Sequence, residues 1–260
     1  MLGISIPQSC CERTLFDKNL PQGLFSCVEL QGDVILDKNL VKLISEKRAG
    51  LINSYDYIKN STIINSLDQS EIFQDSVIST IETLFDEPVY DNLENITIDF
   101  GLMRDNDQEK TLKFIQKLYF KIYRSGKNIC LPVTVPGMDA KKEMMSKLFY
   151  KLMLNNFKIC LNIYPHEIDK NDYYSEFINN FTFRISLIRI CYDAASGNYL
   201  SDKLLEHIIE ILEKCGCCCP IIFVPNVQSA ETLVSEADNI FNIIKTTDKL
   251  QKYFNLIAHN

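Results

Sequence analysis

Eight short apolar runs alternate with helix-patterned segments along the 260 residues of the chain. Each run is continuously apolar and rich in Ile, Val, Leu, Phe and Cys, which is typical of strands buried on both faces of a parallel sheet. Since single barrels routinely have about 250 residues, this alternation predicts an α/β protein with one domain over residues 1–260, a single (β/α)8 TIM barrel. The runs are Leu2–Pro7, Ser26–Leu30, Gly50–Tyr55, Ile96–Phe100, Asn128–Val135, Lys158–Tyr164, Phe183–Cys191 and Pro220–Pro225.

The segments between the runs have helical periodicity. In Gln108–Arg124, Leu112, Ile115, Leu118 and Ile122 share one stripe, which predicts an amphipathic helix. The same reasoning predicts further helices at Gln69–Phe85, Asp139–Asn155, Ser201–Lys214 and Gln228–Thr246.

Two connections are unusual. Cys11–Leu20 leaves room only for a short first helix, and the long polar segment Asp56–Gln69 predicts an elaborated loop on the functional face. An open doubly wound sheet is the alternative architecture. It normally has about six strands and a glycine-rich first turn, whereas the first turn here runs from Pro7 to Cys11 without glycine.

Composition excludes several classes of function. The chain has 27 Lys and Arg against 34 Asp and Glu, a net charge of −7, which disfavours nucleic acid and anionic membranes as partners. Nine glycines are about half the usual share, which argues against a phosphate-cradling loop. No apolar run approaches the roughly 18 residues that span a bilayer. Several of the ten cysteines lie inside apolar runs, so we expect reduced thiols and a cytoplasmic location.

Functional residues of such barrels lie at the carboxyl ends of the strands, the mouth of the barrel, whereas the opposite end, the floor, serves stability. Tyr55, Tyr57, Tyr164 and Tyr192 are aromatic candidates there, either for stacking on a sugar or for filling the core. The polar residues predicted at the mouth are Gln8, Glu29, Gln31, Asp56, Asp99, Arg104, Tyr164, His166, Glu167, Arg189, Asp193 and Asn226.

Several of these residues have two possible roles. Glu29 is either a metal- or hydroxyl-binding carboxylate or a buried partner of an arginine such as Arg189. Arg189 either binds a carboxylate or phosphate at the mouth or pairs with Glu29, Asp99 or Asp193. Asp99 lies in a predicted apolar strand and needs a partner, because an unpaired buried carboxylate costs several kcal/mol.

His166 and Glu167 follow Pro165, so we expect them in a loop at the mouth. An imidazole beside a carboxylate can serve acid–base chemistry near neutral pH, or both groups can simply be solvated. The chain has three histidines, which excludes a histidine-rich metal cluster. Cys215–Cys219 precedes the last strand, so we expect it at the floor as a helix end and turn rather than as a metal site.

Three stretches resemble the xylose-isomerase-like barrel superfamily, which includes sugar isomerases, sugar epimerases and apurinic endonucleases. Gly3–Ile6 followed by Phe25–Leu30 is similar to the opening of that family, with its Val-Glu-Leu turn. Leu161–Glu167 is similar to the strand that ends in an Asp-x-x-His pattern. Arg189–Gly197 is similar to the later strand that ends His-x-x-Asp before a glycine.

The resemblance implies divalent metals held by Glu, Asp and His at the strand ends, and this chain departs from that pattern. His166 and Asp193 match, and they are the metal candidates. The family's Asp is replaced within Asn162–Tyr164, and its His by Ile190. The fifth and eighth strands, which should each offer a Glu, have none. Two ligands are too few for a divalent site, so a divalent cofactor is possible only with ligands from the loops.

We therefore carry two hypotheses from the sequence. In the first, the protein acts on a small sugar-like polyol as an isomerase or epimerase by proton transfer. Glu29, His166 and Asp193 are then the catalytic candidates, and the ligand contacts are Tyr55, Asp99, Tyr164, Glu167, Arg189 and Asn226. In the second, it is a non-catalytic binding or structural protein whose barrel has lost its metal site. An apurinic endonuclease is disfavoured by the few histidines and the negative charge.

Overall fold

The computed structural model describes residues 1–11, 25–48, 51–55, 71–100, 108–135, 145–146, 149, 156–168, 173–193 and 200–257. Within these ranges, eight parallel strands close into a barrel in sequence order. This confirms the predicted (β/α)8 barrel and its eight strands. The strands are β1 (Leu2–Ile6), β2 (Cys27–Gln31), β3 (Leu51–Tyr55), β4 (Leu93–Thr97), β5 (Asn128–Thr134), β6 (Phe157–Ile163), β7 (Ile185–Tyr192) and β8 (Ile221–Pro225).

Strand β4 begins three residues before its predicted start at Ile96. The predicted run began with the apolar Ile96, directly after Asn95. In the structure, Asn95 is buried in the barrel interior, where its side-chain amide is hydrogen-bonded on both sides. Because the strand ends at Thr97, Asp99 lies two residues beyond it and is half-buried, so the expectation that Asp99 sits within a strand was wrong.

The described helices surround the barrel. The helices predicted at Gln69–Phe85, Gln108–Arg124, Ser201–Lys214 and Gln228–Thr246 are confirmed. Most of Asp139–Asn155, nearly all of Cys11–Leu20 and all of Asp56–Gln69 lie outside the described residues. The helices are α1 (Lys38–Arg48), α2 (Glu71–Asp86), α3 (Gln108–Ile122), α4 (Pro165–Ile168), α5 (Tyr173–Phe181), α6 (Asp202–Lys214), α7 (Ala230–Thr246) and α8 (Asp248–Ile257).

Helix α6 shows how local sequence sets a helix boundary. The Ser201 hydroxyl accepts a hydrogen bond from the Leu204 backbone N–H at 3.3 Å, which satisfies one of the unpaired donors of the first turn. Leu205, Ile208, Ile209 and Leu212 form its buried stripe. The helix ends before Gly216, whose φ of 63° lies in the left-handed region that favours glycine.

The barrel interior, or lumen, has its own small apolar cluster, separate from the larger core between strands and helices. It consists of Cys27, Cys130, Cys160, Leu187 and Ile222. Successive residues of a strand face opposite sides, so residues at even spacing from these also face the lumen. The cysteines are buried, as predicted, and burial raises the pKa of Cys130 to about 12.

The lower half of the lumen contains a chain of three asparagines, which we call the amide ladder. Asn128 donates to Asn95 at 3.1 Å, and Asn95 donates to Asn53 at 2.8 Å. Asn53 donates to the Cys27 sulfur at 2.7 Å. The Asn95 carbonyl oxygen also accepts from Ser186 at 3.3 Å. Neutral amides therefore satisfy one another across neighbouring strands at the floor.

Cys215–Cys219 lies between α6 and β8, at the floor, as predicted. The sulfurs of Cys217 and Cys219 are 3.7 Å apart, and Cys218 is exposed. All ten cysteines of the chain are free thiols. Across the described ranges, no three His, Cys, Asp or Glu side chains are placed to hold a metal ion. In the same residues, no helix is both long and apolar enough to span a membrane.

Candidate functional site

A cavity of about 460 Å³ opens at the carboxyl ends of β1, β2, β6, β7 and β8, and we call it the mouth cavity. Binding cavities for small ligands usually have volumes of about 300–1,000 Å³, so its size suits a small molecule. Its lining combines apolar surface with a few polar groups. The lining residues are Pro7, Gln31, Tyr164, His166, Arg189, Cys191, Tyr192, Asp193, Val224, Pro225, Asn226 and Val227.

Five of the predicted catalytic and ligand-contacting residues lie together in this lining: Tyr164, His166, Arg189, Asp193 and Asn226. Gln31 and Tyr192, also predicted at the mouth, line it as well. They come from the ends of β6, β7 and β8, which are adjacent in the closed barrel. Because parallel strands all end at the same side, residues far apart in sequence meet there.

Arg189 is the most constrained residue of the cavity. It lies on β7 and is 4% exposed, and two acceptors hold its guanidinium. Nε donates to Glu29 Oε1 at 3.1 Å, and Nη2 lies 3.0 Å from the same oxygen. Nη1 donates to Asn162 Oδ1 at 3.2 Å. The guanidinium is therefore fixed at the lumen side of the mouth cavity.

Tyr55 supports the guanidinium from another side. The guanidinium carbon of Arg189 lies 3.4 Å from the centroid of the Tyr55 ring, within the range of a cation–π contact. Burial raises the pKa of Tyr55, so its hydroxyl stays neutral. Burial alone would lower the pKa of Arg189, but the surrounding groups that favour its charged form, the Glu29 carboxylate foremost, together outweigh that effect and the pKa is raised. Arg189 is a permanent cation here.

Glu29 lies beneath the cavity rather than in its lining. It is fully buried on β2, and its Oε1 accepts a hydrogen bond from the Ser5 hydroxyl at 2.5 Å. Gln31 in turn donates to the Ser5 hydroxyl at 2.7 Å. Among the described residues, Glu29 Oε2 has no hydrogen-bond partner. Of the two roles open to Glu29, the structure thus shows pairing with Arg189.

His166 and Glu167 lie in α4, a single helical turn that begins at Pro165, rather than in an irregular loop. Proline suits the first position of a helix because its missing N–H would be unpaired there. The His166 imidazole is half-exposed, 3.9 Å from a Glu167 carboxylate oxygen. Its ring meets the Tyr164 ring edge-on, with centroids 6.0 Å apart. Burial raises the pKa of Tyr164.

Three predicted ligand contacts, Tyr55, Asp99 and Glu167, are not in the cavity lining. Tyr55 instead packs against Arg189, and Asp99 and Glu167 are half-buried. Sequence reasoning also overlooked Ser5 and Asn162, which hold Glu29 and Arg189 in place. The signal for them was the two-residue period of the strands: both occupy lumen-facing positions of otherwise apolar runs.

No protein-family model matches the sequence, and no curated protein matches it. Solved structures do. The structure of an L-ribulose 3-epimerase superposes with a TM-score of 0.67 at 10% identity, covering 99% of this chain and 96% of that chain. A D-allulose 3-epimerase from Methylomonas sp. superposes with a TM-score of 0.65 at 10% identity, covering 93% of this chain and 96% of that chain. A D-psicose 3-epimerase from Clostridium cellulolyticum H10, solved with D-tagatose, superposes with a TM-score of 0.62 at 13% identity, covering 99% of this chain and 96% of that chain.

The chain shares the barrel fold of these epimerases. The coverage extends over almost all of each chain, so the likeness concerns the complete barrel. At 10–13% identity it establishes the fold alone, and the site has to be judged from the residues of this chain.

The divalent metal that the sequence resemblance implies does not fit the described residues at the ends of β5 to β8. The lumen-facing positions there include Thr134, Asn162, Arg189 and Val224, which offer two neutral oxygens, a cation and an alkyl group. A guanidinium repels a divalent ion. Ile190, taken from the sequence as the replacement for a metal-binding His, packs in the outer core and faces away from the lumen.

Proposed function

We propose that the protein binds a small sugar-like polyol in the mouth cavity and isomerises or epimerises it by proton transfer. One observation supports this most: Tyr164, His166, Arg189, Asp193 and Asn226 share one cavity of suitable volume at the strand ends. The fold is shared with epimerases named for D-psicose, D-allulose and L-ribulose.

In this proposal the lining residues divide the work. Tyr164 and Asn226 offer hydrogen bonds to ligand hydroxyls, and the apolar lining of Val224 and Pro225 contacts the C–H faces of the ring or chain. His166 and Asp193 are the proton carriers, since an imidazole and a carboxylate can each accept a proton from a carbon beside a carbonyl and return it. Glu29 acts as a positioning residue through Arg189.

The distribution of charged side chains around the mouth cavity favours an uncharged ligand. Arg189 is already paired with Glu29, and the other ionisable groups around the mouth cavity include the carboxylates Asp193 and Glu167. A phosphate or carboxylate on the ligand would add negative charge beside these carboxylates, and the Arg189 guanidinium already has the Glu29 carboxylate as its counter-charge. A neutral ketose therefore suits the cavity better than a sugar phosphate.

Hydrogen–deuterium exchange tests the enzymatic part. D-tagatose, D-allulose and L-ribulose are each incubated with the protein in deuterium oxide, and deuterium at the carbon beside the carbonyl is measured by mass spectrometry. We expect incorporation with at least one sugar and its loss in His166→Gln or Asp193→Asn. His207→Gln is the matched control, because His207 is similarly exposed but lies on α6.

The non-catalytic binding protein is the second candidate, and the poor fit of the strand ends to a metal favours it. Isothermal titration calorimetry separates the two. Sugar binding without deuterium incorporation would support the binding protein, and neither binding nor exchange with these ketoses would reject the polyol proposal. We also propose a reduced, cytoplasmic setting, which the ten free thiols support.

A further inference from the structure

A charged side chain, Arg189, lies at the lumen end of the mouth cavity and is contacted by three other side chains. Arg189 contacts the Glu29 carboxylate, the Asn162 amide oxygen and the Tyr55 ring. It is 4% exposed, yet it is one of the residues that line the cavity. A long, flexible side chain has thus been ordered at the point where the cavity meets the lumen.

We propose that the Arg189 guanidinium is the resident cation of this site and takes the place of the divalent ion that the barrel family implies. A guanidinium carries five N–H groups in a fixed planar fork. Nε and Nη1 each donate one hydrogen bond, to Glu29 and Asn162, and Nη2 makes the ion-pair contact with Glu29. The remaining N–H groups of Nη1 and Nη2 are the donors on which an oxygen of the ligand docks, and this part rests on the proposed function.

The neighbours of Arg189 are those that a fixed cation needs. Glu29 supplies the counter-charge from the closed side of the barrel, where water does not compete. Tyr55 supplies the negative face of an aromatic ring, and Asn162 orients the fork through a neutral oxygen. Glu29 Oε2, buried and without a partner among the described residues, leaves one acceptor beside the cation unsatisfied.

A metal ion in the same place would meet poor ligands. Its neighbours would be Thr134 and Asn162, which are neutral, and Val224, which has no donor atom. It would also compete with a guanidinium for Glu29. The positive charge that a metal would supply to a ligand oxygen is already present, covalently attached and independent of metal supply. The site should therefore bind and polarise a ligand oxygen even when a chelator has removed all free metal ions from the solution.

Chemical rescue tests the cation without any ligand. Arg189→Ala leaves a space for a guanidinium ion and leaves Glu29 buried without its partner. We expect its melting temperature to fall by about 10 °C, since breaking a buried pair in a chain of this size has an effect of that order. Millimolar guanidinium chloride should restore at least half of the loss. Urea, which has the same shape without charge, and sodium chloride should restore none.

Arg184→Ala is the matched control for this rescue. Arg184 precedes β7, donates to the Phe149 carbonyl at 2.8 Å and lies 5.9 Å from that ring centroid, so it also loses a cation–π contact. It has no buried carboxylate partner among its described contacts. Guanidinium should not raise its melting temperature. Equal effects of guanidinium and urea on Arg189→Ala would overturn the proposal.

Manganese binding tests the replacement of the metal. Chelator-treated wild-type protein is titrated with Mn²⁺ and followed by electron paramagnetic resonance. We expect no stoichiometric Mn²⁺ binding. Stoichiometric binding to the wild type that is lost in Asp193→Asn would overturn the proposal. If Arg189→Ala does not fold, Arg189→Lys keeps the charge and loses the fork. It should fold, still bind no Mn²⁺, and weaken any binding of D-tagatose at least tenfold.

The outcomes separate this inference from the proposed function. Rescue by guanidinium together with absence of Mn²⁺ binding supports Arg189 as the resident cation even if no ketose binds. Ketose binding that requires added Mn²⁺ would support the polyol proposal and reject the cation proposal. Ketose binding in chelator that is lost in Arg189→Lys would support both.

Discussion

The upper and lower halves of the barrel lumen are both polar, but they are built from different groups. The upper half contains the ion pair of Glu29 and Arg189, next to the mouth cavity. The lower half contains the amide ladder of Asn53, Asn95 and Asn128, in which neutral groups satisfy one another. Charge is thus present in the lumen at the end where a ligand can reach it.

Energetics explain why this difference is informative. A buried ion pair loses hydration that its mutual attraction only partly restores, and an apolar pair of similar volume is often as stable or more so. A satisfied amide network avoids that penalty and rigidifies the strands it connects. Stability alone therefore does not account for Glu29 and Arg189, whereas the proposed ligand binding would. The amide ladder needs no explanation beyond stability.

The largest expected effect is at the ion pair. Arg189→Met should lower the free energy of unfolding by about 3–5 kcal/mol, because it leaves the Glu29 carboxylate buried and unpaired. The double variant Glu29→Gln/Arg189→Met, which removes both charges, should recover most of this loss. Urea denaturation followed by circular dichroism measures both. A double variant less stable than the single one would show that the pair is held for stability after all.

The amide ladder should give the next largest effect. Asn95→Ala removes the side chain that donates to Asn53 and accepts from Asn128 and Ser186. Each buried polar group left unsatisfied costs about 1–3 kcal/mol, and we expect a total loss of roughly 2–4 kcal/mol. Asn92→Ala, at an exposed position just before β4, is the control and should change stability by less than about 0.5 kcal/mol. A small loss in Asn95→Ala would mean that water replaces the ladder.

Alkaline pH offers a finer comparison of the two halves. Burial raises the pKa of Cys130 in the lower half from 9.0 to about 12, and that of Cys191 at the mouth from 9.0 to about 11. A raised thiol pKa contributes stability that is complete below the unfolded value and is lost as pH rises towards the folded value. The protein should therefore lose stability above pH 9.0, by up to about 1.4 kcal/mol per pH unit for each such thiol.

Two variants show which thiol causes this loss of stability at alkaline pH. Cys130→Ala should flatten the fall in stability up to about pH 12, and Cys191→Ala only up to about pH 11, because the mouth is the less desolvated end. Urea denaturation across that pH range measures the slopes. Each variant serves as the other's control, since both remove one buried sulfur. Identical dependences of stability on pH in the two variants would contradict the inference that the lower half of the lumen is less accessible to water than the mouth.

Sequence reasoning predicted most of the fold and about half of the candidate site. The strands were predictable because continuous apolar runs mark a parallel sheet, and the position of Arg189 near a strand end placed it at the mouth. Its choice between partners was not predictable. Glu29 and Arg189 are 160 positions apart, and Ser5 and Glu29 are 24 apart. Which lumen-facing side chains meet depends on the stagger between strands, and that stagger is a property of the closed barrel.

The smallest expected effect on stability is at the outer rim of the mouth cavity. His166 is half-exposed, its ring meets the Tyr164 ring edge-on, and its Nε2 lies 3.9 Å from a Glu167 carboxylate oxygen. Exposed positions usually tolerate substitution within about 0.5 kcal/mol, so His166→Gln should unfold at the same urea concentration as the wild type. His207→Gln should behave alike.

The two histidines should differ only when a ligand is present. If His166 is a proton carrier, its substitution abolishes deuterium incorporation while stability is unchanged, which is the pattern of a functional residue. If His166→Gln were as destabilising as Asn95→Ala, the rim would be part of the structural core, and the contrast between a functional upper half and a structural lower half would not hold. A stable variant with unchanged exchange would leave the contrast intact and assign proton transfer to Asp193.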